Sequence, residues 1–309
     1  MLASQPSSGY VYTIMTEEPW PSLVLEDWQD TYATLHMWTQ IVGKIRMAQT
    51  ALVNHWWNVP LYVSARGLTT TAMPYFDRLF EIEFDLIDHK LLINSSDGLS
   101  KILQLRAEPV AEFYERLMAT LEGMDIDVEI WPMPVEVPNP IRFDEDDTHA
   151  SYDPEYANRF WHVLANIDEV FKEFRGRFLG KCSPVHFWWG SFDHAVTRFN
   201  GRVAPPREGA DLITQEAYSH ECISHGFWAG GNGSEAAFYS YTAPAPEGLS
   251  SAPLRPAKAF WSNDLSEFLM YYDDVRTAAN PDEALMEFMQ STYEAGANLA
   301  KWDRASLER

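Results

Sequence analysis

Residues 186–199 read HFWWGSFDHAVTRF, a run rich in aromatic and β-branched residues with partial alternation, and this predicts a β-strand. A second stretch, WNVPLYVSARG at 57–67, has the same character. Each follows a helical pattern and a Gly-Lys pair (Gly43-Lys44, Gly180-Lys181), and each carries two adjacent tryptophans with an arginine ten positions after the first. The landmarks are Trp56, Trp57 and Arg66 in the first half and Trp188, Trp189 and Arg198 in the second, an order that suggests an internal duplication. In a strand, alternate side chains share a face. Trp57, Val59, Leu61, Val63 and Ala65 then form a core face, with Trp56, Asn58, Tyr62, Ser64 and Arg66 opposite it. The matching face of the later strand carries His186, Trp188, Phe192, His194 and Arg198, and the two could line one cavity.

Outward from these stretches, a helix is expected from about Asp27, with Leu35, Trp38, Ile41, Val42 and Ile45 at helical spacing. FEIEFDLIDHKLLINSS, with a bend near Asp88, and KILQLR read as strands. Pro109 opens a helix that Gly123 helps to end before a further strand, DVEIW. Prolines at 132, 134, 138 and 140 followed by the acidic run DEDD read as a linker. Asp153 and Pro154 are the N-cap and first residue of another helix, and Asn280 with Pro281 opens the last one. AAFYSYT and EFLMYYDDV read as strands between long loops. Helices and strands alternate too irregularly for a doubly wound parallel sheet. The expected class is α+β, mostly antiparallel sheet with flanking helices, in two halves: 1–147, and 148–309 with long Pro/Gly-rich loops.

Composition narrows the function. Among 309 residues, 12 Trp, 14 Tyr and 17 Phe supply surface for a core or a pocket. The net charge of −22, from 45 acidic and 23 basic residues, repels phosphodiesters and anionic lipid, which argues against nucleic acid and membrane as partners. The N-terminus lacks the basic start and apolar run of a signal peptide, and no stretch is long and apolar enough to span a bilayer, so a cytoplasmic location is expected. Cys182 and Cys222, with no CxxC pair, exclude a disulfide framework. Cys182, beside Lys181, is an inert buried thiol unless the ammonium activates it.

Arg66 and Arg198, set among aromatics, offer bidentate recognition of a carboxylate or phosphate, against the alternative of pairing with one of the many acidic side chains. Trp56, Tyr62 and Trp188 complete the expected ligand-binding set. His186 is the acid–base candidate, expected to be neutral because burial and Arg198 disfavour its charge. His186, His220 and Glu221 could form a metal site of the non-haem iron or zinc type, although His220 and Glu221, being adjacent, point apart in a strand. His36 and His55 read as core or pocket-wall residues. HECISH has its second histidine five positions after the first, not four, and so is not a zinc-protease helix. No GxGxxG, GxSxG or phosphate-binding loop occurs.

The strings WPSLVLEDWQDTYATLHMWTQIVGK, NHWWNVPLYVSARGL, FDLIDH, GKCSPVHFWWGSFDHAVTRFNGR, EAYSHE and YEAGANLAKWDRASLE together resemble a bacterial family known only as a domain of unknown function, over almost the whole chain. The resemblance implies one full-length family and brings no activity, cofactor or catalytic residue. The leading expectation is a protein that binds or transforms a small, anionic, partly apolar molecule in an aromatic, Arg- and His-lined pocket. The alternatives are a metal-dependent oxygenase or hydrolase, and a noncatalytic interaction protein using the loops from Ala204 to Pro256. The residues specify neither a cofactor nor an oligomeric state.

Overall fold

The structure, a computed structural model, describes residues 19–231 and 234–309. Among these the protein is α+β, with seven helices and two antiparallel sheets of six strands each. Helix α1 spans Leu25–Gln49 and buries Leu35, Trp38, Ile41, Val42 and Ile45 completely, the residues that its periodicity marks. The first sheet follows: β1 (Tyr62–Val63), β2 (Gly67–Thr69), β3 (Met73–Tyr75), β4 (Arg78–Asp85), β5 (Lys90–Ser95) and β6 (Ser100–Gln104). Its order is β1-β2-β4-β5-β6, with β3 also on β4. Cross-strand pairs such as Ile82 with Ile93 and Phe84 with Leu91 fill its buried face, while Glu81 and Glu83 alternate outward. Helix α2 (Val110–Glu122) closes this half, and Trp38 stacks on its Phe113 at 4.7 Å between ring centroids.

The second half repeats the order of helix, six-stranded antiparallel sheet, helix. Helix α3 (Pro154–Gly176) begins where Asp153 accepts hydrogen bonds from the amides of Glu155 and Tyr156. Then come β7 (His186–Trp188), β8 (Asp193–Val203), α4 (Leu212–Ala217), β9 (His220–Trp228), β10 (Ala237–Ala243), β11 (Phe260–Ser262) and β12 (Glu267–Tyr271). The sheet order is β11-β12-β10-β9-β8-β7. Helices α5 (Tyr272–Arg276), α6 (Pro281–Leu299, capped by Asn280) and α7 (Arg304–Leu307) complete the chain. HECISH is strand, within β9. Leu61 and Phe187 exchange both amide hydrogen bonds at 3.0 Å, linking β1 to β7 and so the two sheets edge to edge. One continuous hydrophobic core runs through both halves.

Five expectations are corrected. Residues 186–199 are not one strand: β7 ends at Trp188, and Gly190 and Phe192, the latter at φ +58°, turn the chain into β8. Trp188 therefore opposes Asp193, and His186 opposes Ala195. Directly opposed residues share a face, so the turn reverses the parity and sends His194 and Arg198 to the opposite side from His186. Trp56 lies in a 3-10 turn (Asn54–Trp56) at φ +60°, not in a strand, so it is not the structural counterpart of Trp188. DVEIW is not paired into a sheet, and EFLMYYDDV divides into β12 and α5. The proline-rich segment after Trp131 is no free linker. Phe143 and Asp146 are fully buried, and Val135 exchanges hydrogen bonds with the Gln40 side chain at 2.8 and 2.9 Å.

Candidate functional site

The second sheet has one face against α3 and α6 and another turned away from them. Phe187, His194, Arg198 and His225 face α3 and α6: His194 stacks on Phe171, and His225 meets the Thr292 hydroxyl at 3.0 Å. Arg198 is 1% exposed and has no carboxylate partner among the described residues. Its guanidinium lies 3.4 Å from the Phe174 ring centroid and 4.4 Å from that of Tyr293, and it donates to the Phe174 carbonyl. Burial depresses its pKa to about 10. Arg66 is half-exposed at the turn before β2, donating to Asp85 at 2.7 Å and pairing with Asp88 at 3.0 Å. The two arginines therefore do not line one cavity. Arg66 is a structural ion pair and Arg198 a core cation held by π-faces and a carbonyl.

His186 is fully buried, and its ring meets Trp188 at 5.2 Å, Tyr62 at 5.7 Å and Trp57 at 5.9 Å. Trp57 thus takes the place expected for Trp56. Neither ring nitrogen of His186 has a hydrogen-bond partner. Burial first, then the charges of His194, Arg46 and Arg175, push its pKa down to about 3, so the imidazole is neutral as expected, but Arg198 is not among the causes. His220 faces the Ser219 hydroxyl, whereas Glu221 is bound by Asn200 and Arg202, each at 2.6 Å. His186, His220 and Glu221 do not assemble, and no group of three or more His, Cys, Asp or Glu among the described residues is placed to hold a metal ion. Cys182 and Cys222 are raised to about 11 and about 12 by burial, which makes them poor nucleophiles.

The chemistry gathers instead beside the β7–β8 turn. A hollow of about 510 Å³, next to one of about 440 Å³ with which it shares Tyr32, is lined there by Tyr32, His36, Glu136, His149, Ser191 and Trp228. These come from α1, from the proline-rich segment and its continuation, from the turn and from the end of β9. His149 is set by Asp146, which is fully buried and accepts the amides of Thr148 and His149 at 3.0 and 3.1 Å. The imidazole Nδ1 donates to the same carboxylate at 2.7 Å. This hydrogen bond raises the His149 pKa and leaves Nε2 as the atom that exchanges a proton. His36 is the opposite case. Its Nε2 lies 2.8 Å from the Gly190 carbonyl, so this nitrogen carries the hydrogen, and burial lowers the pKa to about 4. The Glu136 carboxyl is raised by burial and by Asp193. Tyr32 is raised to about 12, again first by burial.

A row of hydrogen bonds and one ring stack leads from this cleft across the face turned away from α3 and α6. Ser191 donates to Asp193 at 2.7 Å, and Tyr239 donates to the other oxygen of the same carboxyl. Burial raises the Asp193 pKa against the effect of both hydrogen bonds. Tyr239 stacks on Tyr241 at 6.2 Å, and the Tyr218 hydroxyl donates to that of Tyr241 at 3.1 Å. Glu267, two residues before the Leu269 that opposes Tyr239, is raised to about 7 by burial and by Asp193. Gly226 makes the row possible: a Cβ there would lie 2.2 to 2.5 Å from the Tyr239 ring. Gly226→Ala is expected to lose about 1–3 kcal/mol through this overlap and to lift Tyr239 off Asp193. Denaturant unfolding gives the first effect, and the ultraviolet titration of Tyr239 the second.

An α+β protein of two antiparallel sheets, with a histidine and carboxyl cleft beside the first turn of the second sheet, is the class that this architecture defines. The chain belongs to the family of unknown function DUF5996, whose model matches residues 20–309. No curated protein and no solved structure matches it. No helix among the described residues is long and apolar enough to cross a membrane.

Proposed function

We propose that the protein binds a small polar molecule, neutral or cationic, in the cleft walled by Tyr32, His36, Glu136, His149 and Ser191, and moves a proton on it. The observation that carries this reading is the convergence, in one hollow of about 510 Å³, of a histidine whose proton uptake is favoured, a carboxyl whose neutral form is favoured and a second histidine held neutral. Paired groups with separated proton affinities can serve as acid and base in a single step. His149, oriented by the buried Asp146, takes up the proton at Nε2. Glu136, its neutral form favoured, donates one, and Ser191 with Asp193 behind it supplies a hydrogen-bonding wall. The anionic ligand expected from the sequence rests on Arg66 and Arg198, both engaged elsewhere, and the carboxyls of the cleft favour a ligand without negative charge.

Native purification followed by mass spectrometry of the molecules released on denaturation tests the reading. A compound retained by the wild type and by Arg66→Ala, and bound at least about tenfold more weakly by His149→Ala and Glu136→Gln, is the expected result. Equal retention by all four proteins contradicts the assignment of the cleft.

A further inference from the structure

At the other end of the face turned away from α3 and α6, the structure places a lysine where this acidic protein offers it no carboxylate. Lys181 Nζ lies 2.7 Å from His55 Nε2. It sits 5.0 Å from the ring centroid of Trp57 and 5.1 Å from that of Phe199. No ion pair joins it to an Asp or Glu among the described residues, although acidic residues outnumber basic ones 45 to 23. The residue as a whole is exposed, so small molecules can reach it.

His55 is held for this contact. Its Nδ1 lies 3.1 and 3.2 Å from the carbonyls of Glu216 and Ala217, so Nδ1 carries the hydrogen and Nε2 presents its lone pair to Lys181. Its backbone amide donates to Glu216 Oε1 at 3.2 Å. His55 and Trp56 both adopt positive φ, 59° and 60°, a conformation that costs non-glycine residues and persists only where surrounding contacts enforce it. The charged or titratable groups around the pair are His220, whose ring is 5.8 Å from that of His55, and Glu216 from α4. Burial lowers the pKa of both members: that of Lys181 by desolvation alone, that of His55 by desolvation, then by Lys181.

We propose that Lys181 is a nucleophilic amine, served by His55, that condenses with the carbonyl group of a small, uncharged aldehyde or ketone. Nζ attacks the carbonyl carbon, and the proton that nitrogen sheds passes to His55 Nε2 and from there to the alkoxide oxygen, giving a carbinolamine. A proton drawn from solvent through His55 then releases the hydroxyl as water while the nitrogen lone pair forms the C=N bond, and the proton left on the iminium nitrogen returns to solvent. Amine and carbonyl thus yield an imine and one water, with no change of oxidation state. Trp57 and Phe199 favour a compact apolar substituent. This site is separate from the cleft of His149 and does not depend on it.

The test is reductive alkylation of the intact protein by acetaldehyde and cyanoborohydride near neutral pH, with the modified lysines located by peptide mass spectrometry. Lys181 is expected to react at least about tenfold faster than the other exposed lysines, because desolvation enlarges its share of free amine and His55 takes the proton that the attacking nitrogen sheds. His55→Asn keeps a residue tolerant of positive φ while removing the imidazole, and should take away most of this advantage by removing the proton acceptor. A Lys181 that reacts no faster than the other lysines overturns the proposal. So does one that stays fast in His55→Asn, because His55 would then have no part. The rate followed against pH adds a check on the amine itself: it rises at lower pH for Lys181 than for the other exposed lysines if the proposal holds, and at the same pH if it fails.

Discussion

Arg198→Ala is expected to cost about 3–5 kcal/mol, the range for truncating a large, fully enclosed side chain, and to be the most damaging single change among the arginines. Its guanidinium fills the space between Phe174 of α3, Phe178 and Tyr293 of α6, and its donation to the Phe174 carbonyl ties the helix to the sheet. Arg66→Ala should cost no more than about 1 kcal/mol, since that pair is half in water and Asp85 keeps the amides of Ile87 and Asp88 as donors. Denaturant melts of both variants check the contrast. A loss for Arg198→Ala as small as that for Arg66→Ala would mean that the core closes around the gap, and would reopen a ligand role for this cation.

His186→Leu should flatten the acid limb of the stability curve. The folded pKa of about 3 lies below the ordinary value of 6.5, so on acidification the unfolded chain takes up the proton first. The contribution of a neutral buried histidine is therefore complete above the unfolded value and declines as pH falls towards the folded one. Between neutrality and about pH 4.5 the wild type loses about 3 kcal/mol through this residue alone, and the variant does not. His36, lowered to about 4, and His225, lowered well below its ordinary value, act in the same direction in both proteins. Glu267, raised to about 7, acts in the opposite direction, also in both. The difference between variant and wild type isolates His186. Parallel pH profiles from urea titrations would show that this imidazole is charged in the folded protein.

Much of the frame is legible in the sequence because it rests on local chemistry. The Asp153-Pro154 and Asn280-Pro281 openings, the periodicity of α1 and the β4–β5 hairpin about Asp88 are set by capping, burial and alternation within a few residues. The candidate site is not legible in the same way. The turn at Trp189–Phe192 uses one glycine and a phenylalanine with positive φ, which no propensity signals, and without that turn Arg198 and His194 fall on the face of His186. Tyr32, Glu136, His149 and Ser191 meet only through long-range packing, and spacing cannot reveal it. Two signals do exist: the proline-rich run contains an isolated glutamate flanked by valines, Val135-Glu136-Val137, and Asp146 stands three residues before His149. Both sit in a stretch whose proline and acid content reads as a linker, which hides them. The duplicated landmarks mark an order of helix, sheet and helix common to the halves, yet Trp56 and Trp188, like Arg66 and Arg198, occupy different local structures.

The cleft assignment is tested most directly by a crystal structure of natively purified protein with its co-purified compound retained. The compound is expected within hydrogen-bonding distance of His149 Nε2 and the Glu136 carboxyl, against the Tyr32 and Trp228 rings. A compound bound at Arg66 or elsewhere, with the cleft holding only water, would contradict it.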